Sequence, residues 1–398
     1  MAFMAKEIIK NKGLKALIIV CLVSFVFGEI IRLPIFGIEV KLLDFSVALA
    51  FGFWLIYLFL NKKISKALYP PILIFSAYCL FTLLINLRFL DLSQSIISFS
   101  YLLRWVAYAS IFSIVSNFDQ KFKDKIKTSI IFVGAVIVTI GYIQFIFYQN
   151  LRNLFYLGWD EHLYRMFSVF LDPNFAGAFF VLYLLFLLDQ LFKNFKDRMK
   201  LLLFSFLSIA TLLAILLTYS RSAFIMLIIG IATFLILKRK PVYIFGLVFL
   251  FVILTFFLPK AYDTEGTNFL RTVSSEARLD SARLAFTIFK ENPIFGVGFN
   301  AYKYARQRYG STISETSHAD ATTDNSFLFV LATTGVIGLA AYIFMWFKLL
   351  KENKNSALIL SSSIALFAGS LFVNSLFYSF IMYWMWIILG LRENNEQT

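Results

Sequence analysis

The sequence predicts an all-α polytopic membrane protein with about twelve transmembrane helices and one long extracytoplasmic loop. Three observations carry this. The chain is 60% apolar and only 15% charged, whereas soluble domains carry about 25% charged residues. Its apolar residues fall into runs of about 16 to 25, each close to the length needed to cross a ~30 Å hydrocarbon layer as a helix. Lysine and arginine gather in alternate loops, as the positive-inside rule requires.

The first run, Leu14 to Ile31, follows a lysine-rich stretch and lacks a small-residue cleavage site, so it is expected to be a retained span. Further spans are expected at 42–60, 68–87, 93–116, 128–150, 169–192, 201–218, 222–237, 241–259, 323–347, 355–373 and 376–391. This divides the chain into nine helices over 1–259, an extracytoplasmic loop over 260–322, and three helices with a cytoplasmic tail over 323–398. Runs such as Leu201 to Leu217 are almost continuously apolar and lack the period-two alternation of outer-membrane strands, which excludes a β-barrel. Cys21 and Cys79 lie inside apolar runs with no metal-ligand spacing, so they are expected in the core.

Lys6 to Lys15, Lys62 to Lys66, Lys121 to Lys127, Lys193 to Lys200, Lys238 to Lys240 and Lys348 to Lys354 mark the cytoplasmic loops, with both termini on that side. The net charge of +14 therefore reflects topology and implies no nucleic-acid partner. The inner loops hold 19 Lys and 3 Arg, the outer ones 4 Lys and 10 Arg. Topogenesis needs only positive charge, but the guanidinium fork binds phosphate or carboxylate bidentately. The outer face looks built to hold an anion, although interfacial arginines also anchor by snorkelling.

The 63-residue connection from Lys260 to Thr322 contains an organised element. Glu276 to Glu291 has helical periodicity, with Glu276, Asp280, Arg283, Thr287 and Lys290 on one face, and it stops at Asn292-Pro293. Arg278 points with Ala282, Ala285 and Phe289 into the apolar face, where its charge needs an anionic partner. Arg283 is expected at the surface, paired with Asp280 or Glu276.

Arg221, in the turn Thr218-Tyr219-Ser220-Arg221-Ser222, is pinned at the outer interface. Asp172 caps a helix with Pro173 as its first residue, leaving Asn174 facing outward beside free backbone N–H groups. Arg104, near the middle of its span, either serves function or has a structural partner. In Thr322-Thr323-Asp324-Asn325-Ser326, Asp324 either caps the tenth span or acts as a general base tuned by nearby arginines. His318 is a second titratable group six residues earlier, and His162 is a weaker one.

These residues resemble a family. Arg278 to Gly298, RLDSARLAFTIFKENPIFGVG, is similar to the R-L-x-x-W-x-x-A-x-x-x-(I/F)-x-x-x-P-(L/I)-x-G-x-G segment of the O-antigen ligase and polymerase superfamily. Asp324 to Gly338, DNSFLFVLATTGVIG, resembles its (H/D)-N-x-(Y/F)-L-x-x-x-x-x-x-G-x-x-G segment. Leu217 to Ala223 resembles its L-T-x-S-R-(G/S)-A turn, and Arg165 to Asn174 its R-x-x-x-x-F-x-(D/N)-P-N stretch. Two positions depart: Asp324 stands where ligases typically carry histidine, as is familiar among Wzy-type polymerases, and Ala282 stands at the tryptophan position.

The resemblance implies a GT-C-like fold, a metal-independent glycosyltransferase with no cofactor, and a polyprenyl (undecaprenyl) diphosphate-linked oligosaccharide as substrate on the outer face of the bacterial inner membrane. It implies a diphosphate clamp of Arg165, Arg221 and Arg278 lined by Asn174, with Asp324 activating the acceptor hydroxyl and His318, Asn325 and Arg104 as additional site residues. A flippase and a chain-length regulator are the implied partners, beside membrane lipid. The expected activity is polymerisation of lipid-linked repeat units; a WaaL-like ligase acting on lipid A-core is the near alternative. A lipid-linked oligosaccharide transporter would need mid-membrane charges and repeated halves, whereas this chain has only Arg104 at mid-depth and no visible repeat.

Overall fold

The computed structural model describes residues 12–35, 38–61, 68–258, 265–268, 272–309 and 322–392. His318 and most of the loop around it lie outside the described residues. The helices are α1 (Lys12–Val26), α2 (Leu42–Leu60), α3 (Pro70–Asn86), α4 (Leu92–Ser116), α5 (Gln120–Phe147), α6 (Pro173–Lys193), α7 (Arg198–Leu217), α8 (Arg221–Leu237) and α9 (Tyr243–Phe256). After them come α10 (Val273–Glu291), α11 (Tyr302–Arg308), α12 (Ser326–Glu352), α13 (Ala357–Gly369) and α14 (Ser379–Gly390).

Each of the twelve apolar segments carries a helix. Seven helices are long and apolar enough to cross a membrane, as in a multi-pass membrane protein; α1, α8, α9, α13 and α14 are shorter, at 12 to 17 residues. One element departs from the all-α expectation. Strands β1 (Arg32–Ile35) and β2 (Ile38–Lys41) form an antiparallel hairpin in the link to α2, and α1 ends at Val26 rather than at the expected Ile31. Gly28, at φ +55, ends α1 against the Val169 backbone, and Glu29 N–H donates to Val169 O at 2.8 Å.

The helices run between two ends of different chemistry. At the lysine-rich end, Lys15 pairs with Asp119, Tyr69 bonds Glu352, Arg392 pairs with Glu352 at 2.9 Å, and Lys193 and Lys238 converge on Asp189. The arginine-rich loops meet at the other end. The core lies between, centred on α6 and on α14, whose twelve residues are all buried. Trp346 stacks on Trp386 there, and Trp384 packs edge-on to Phe179 and Tyr183. Cys21 and Cys79 are both buried in this core.

Helix α12 is broken inside its span. Gly335 has φ +69 and ψ −171, outside any helical region. The turn after α10 fills the break: Val336 N–H donates to Pro293 O at 2.9 Å, while Val297 and Gly298 N–H donate to Ala332 O and Thr333 O at 3.1 and 2.9 Å. Irregular backbone at membrane depth persists only where protein satisfies it, and here the inserted turn does so. Gly335→Ala would place a Cβ 2.1 Å from Ile294 O and force a non-glycine residue into a strained conformation. We expect it to cost about 2 kcal/mol or more, read as a lowered unfolding midpoint in detergent.

Candidate active site

The four motifs singled out in sequence come together at the arginine-rich end. Helix α6 approaches the first turn of α8 closely at Gly177, where a Cβ would meet that of Ala223 at 2.5 Å. Small residues permit such contact between membrane helices. It brings Asn174, one turn earlier, to Ser220, whose hydroxyl donates to Asn174 Oδ1 at 2.9 Å. Asp172 caps α6 as expected, accepting from Asn174 N–H at 2.6 Å.

Arg165 is buried and donates through Nε to Thr218 O at 2.9 Å, so it braces the 218–222 turn from behind. Arg221 opens α8 and reaches across to α10, where its Nη2 donates to Ser274 and Ser275 hydroxyls at 2.8 and 2.9 Å. These serines carried no signal in sequence except their position one turn before Arg278.

Helix α10 turns a mixed stripe inward. Ala285 and Ile288 are buried, and Ser281 and Arg278 are half-buried on the same side, whereas Glu276, Asp280, Arg283, Thr287 and Lys290 are exposed. Arg283 pairs with Asp280 at 3.1 Å, as expected for i, i+3 neighbours. Phe289 is only half-buried, so Ile288 takes the core position assigned to it. The Ser281 hydroxyl donates to Thr323 Oγ1 at 3.3 Å and accepts from Asp324 N–H at 3.4 Å, tying α10 to the start of α12.

The helix cap of α12 is Asn325, whose Oδ1 accepts from Phe327 and Leu328 N–H at 2.9 and 3.0 Å. That assignment leaves the Asp324 carboxylate unused: among the described residues it accepts no hydrogen bond. Burial raises its pKa, opposed by the Arg278 charge, reinforced by Asp172 and opposed again by Arg306. Burial correspondingly lowers the Arg278 pKa, with Asp324 opposing. Arg278, Asp324 and Asp172 thus act on one another, and the Arg221 charge opposes that of Arg278.

Arg306 and Tyr302, both on α11, were missed in sequence because a seven-residue helix gives too little periodicity to face. Both interact electrostatically with Asp324, and burial pushes the Tyr302 phenol up to about 12. Arg104 lies apart from this group. It pairs with Asp44 at 2.9 Å and bonds Ser379, while Tyr108 donates to Asp44 at 2.6 Å, so its structural partner accounts for it. No three His, Cys, Asp or Glu side chains gather to share a metal ion among the described residues.

The cluster can hold an anion with two cations while a carboxylate with a raised proton affinity stands beside it. Residues 203–343 match the Wzy_C family model, described as O-antigen ligase. The matched stretch includes Arg221, Arg278 and Asp324 and ends inside α12, while Arg165 and Asn174 precede it. Over that stretch the chain is similar to the Wzy_C family, which is consistent with the O-antigen ligase/polymerase superfamily. No curated protein matches the chain.

A carboxylate with raised pKa favours folding fully only below its unfolded value, and that contribution is lost as pH rises through the folded one. Asp324→Asn should therefore raise the unfolding midpoint at neutral pH, with the advantage shrinking in acid. A lower midpoint at neutral pH would show that Asp324 is structural.

Proposed function

We propose that this chain is a polysaccharide polymerase that moves a growing glycan from its polyprenyl diphosphate to a hydroxyl of a lipid-linked repeat unit. The reaction takes place on the extracytoplasmic side of the bacterial inner membrane, with both termini cytoplasmic. The observation that carries the reading is the carboxylate of Asp324, left over by the Asn325 cap and within electrostatic reach of Arg278.

Asp324 removes the proton of the acceptor hydroxyl as that oxygen attacks the anomeric carbon of the donor. The bond from that carbon to the diphosphate oxygen breaks, and the carrier diphosphate leaves with the electron pair and the configuration inverted. Arg221 and Arg278 hold the leaving charge, which grows in the transition state, so their binding is realised where it accelerates the step. Arg165 and Asn174 set the turn that presents Arg221. His318 is the alternative base, and Asn325 supports Asp324 through the cap.

The description of the matched family as O-antigen ligase supports a second reading, transfer to lipid A-core from the same donor. Incubating the purified protein with a polyprenyl-diphosphate-linked repeat unit alone separates the two. A ladder of lengthening glycans without added metal is expected; product only after lipid A-core is added would make it a ligase.

Asp324→Asn should slow the ladder by about 10²- to 10⁴-fold, and near-wild-type turnover of that variant sinks the base assignment. Arg278→Lys should lose roughly 10²-fold, because a point charge does not replace the fork. The acid limb of the pH–rate profile should lie above the ordinary aspartate range of about 3.9. Arg278→Gln, which removes the main opposing charge, should move that limb further up.

A further inference from the structure

Two outer arginines stand outside the clamp. Arg88 belongs to the short turn Leu87–Phe89 after α3, and Arg308 is the last residue of α11. Both guanidiniums lie over the ring of Phe89, at 4.6 and 5.2 Å from its centroid, so they are separated by no more than the sum of those distances. Phe89 is 48% exposed, and both arginines are exposed with it. Among the described residues neither forms an ion pair. Two like charges held on one ring repel each other, and a ligand with two adjacent phosphates relieves that repulsion by bridging the forks.

We propose that Arg88, Phe89 and Arg308 hold the diphosphate of the acceptor's polyprenyl carrier, a second lipid site beside the donor clamp. The inference rests on the polymerase reading. In that reaction the attacking hydroxyl sits at the sugar furthest from the acceptor's own carrier. While it is at Asp324, the acceptor diphosphate must lie one repeat unit away at the same membrane interface.

Helix α11 spans that gap. Arg306 acts on Asp324, whereas Arg308, two residues on and therefore on roughly the opposite side of the helix, meets Phe89. The other half of the pair is fastened to the same frame. Asn86, two residues before Arg88, donates to Gly296 O at 3.2 Å in the turn that fills the break of α12. The donor clamp, by contrast, is built from α8 and α10. The exposed edge of Phe89 offers the first isoprene unit an apolar contact.

The test counts bound lipid, using polyprenyl diphosphate alone and the full chain in neutral phosphatidylcholine nanodiscs. Wild-type protein should bind two molecules per chain, and Arg88→Gln/Arg308→Gln one, with the unfolding midpoint unchanged because both side chains are exposed. A wild-type count of one, an unchanged count in the double variant, or full displacement of the second molecule by phosphatidylglycerol at equal concentration overturns the site.

Kinetics then separate this inference from the reading it rests on. With lipid-linked glycan as donor, the double variant should raise KM for a lipid-linked repeat unit at least tenfold. Its KM for the lipid-free oligosaccharide released from that unit should stay within twofold. Equal effects on both acceptors, or none, overturn the acceptor site while the polymerase stands. If wild-type protein forms no product from lipid-linked units, the polymerase reading fails and the acceptor site falls with it.

Discussion

The turn Pro293–Gly298 lodged in the break of α12 joins the two halves of the site. Asp324 stands at the head of α12, and Arg278 belongs to α10, which leads directly into that turn. Three backbone hydrogen bonds lock the turn to Ala332, Thr333 and Val336. A membrane helix gives up its own ladder only when something else satisfies the freed groups, so the break and the turn are stable only together. The distance between the carboxylate and the guanidinium is thereby set by main-chain geometry rather than by the side chains themselves, which are left free to serve a substrate.

That division of labour extends outward. Asn325 takes the capping role, so Asp324 is spared it; Arg165 takes the turn carbonyl, so the 218–222 turn holds Arg221 toward α10. Asn325 and Arg165 are engaged by main-chain groups, while Asp324 and Arg278 are half-buried and electrostatically unsettled. A site of this kind costs stability at the residues that act and recovers it in the shell behind them.

Much of this was legible because local chemistry spells it out. Asp172 is a sequence-visible cap, Asn292-Pro293 stops α10, and Arg283 finds Asp280 one turn away. What escaped was nonlocal or too short to have a period. The hairpin strands are four residues each, too few to show alternation beside an apolar run. Asp324 and Asn325 are equally good caps by type, and only the fold chooses. Asp44 lies 60 residues from Arg104, so no spacing could announce their pairing. The break at Gly335 hides in Thr334-Gly335-Val336, which reads as uninterrupted apolar helix.

The shortness of α13 and α14 governs depth. At about 1.5 Å per residue, the twelve residues of α14 rise roughly 18 Å against a hydrocarbon layer of ~30 Å. Measured from the lysine-rich end, Ser379 therefore stops well below the opposite boundary. The link from Ser370 to Tyr378 lies at the same level, stitched to Ser326 by Ser326 N–H to Ser370 O at 2.9 Å and Leu376 N–H to Ser326 Oγ at 3.3 Å. The floor beneath Asp324 is thus set below that boundary, and on the proposed reading the diphosphate of a carrier lipid would react there with its tail still in hydrocarbon.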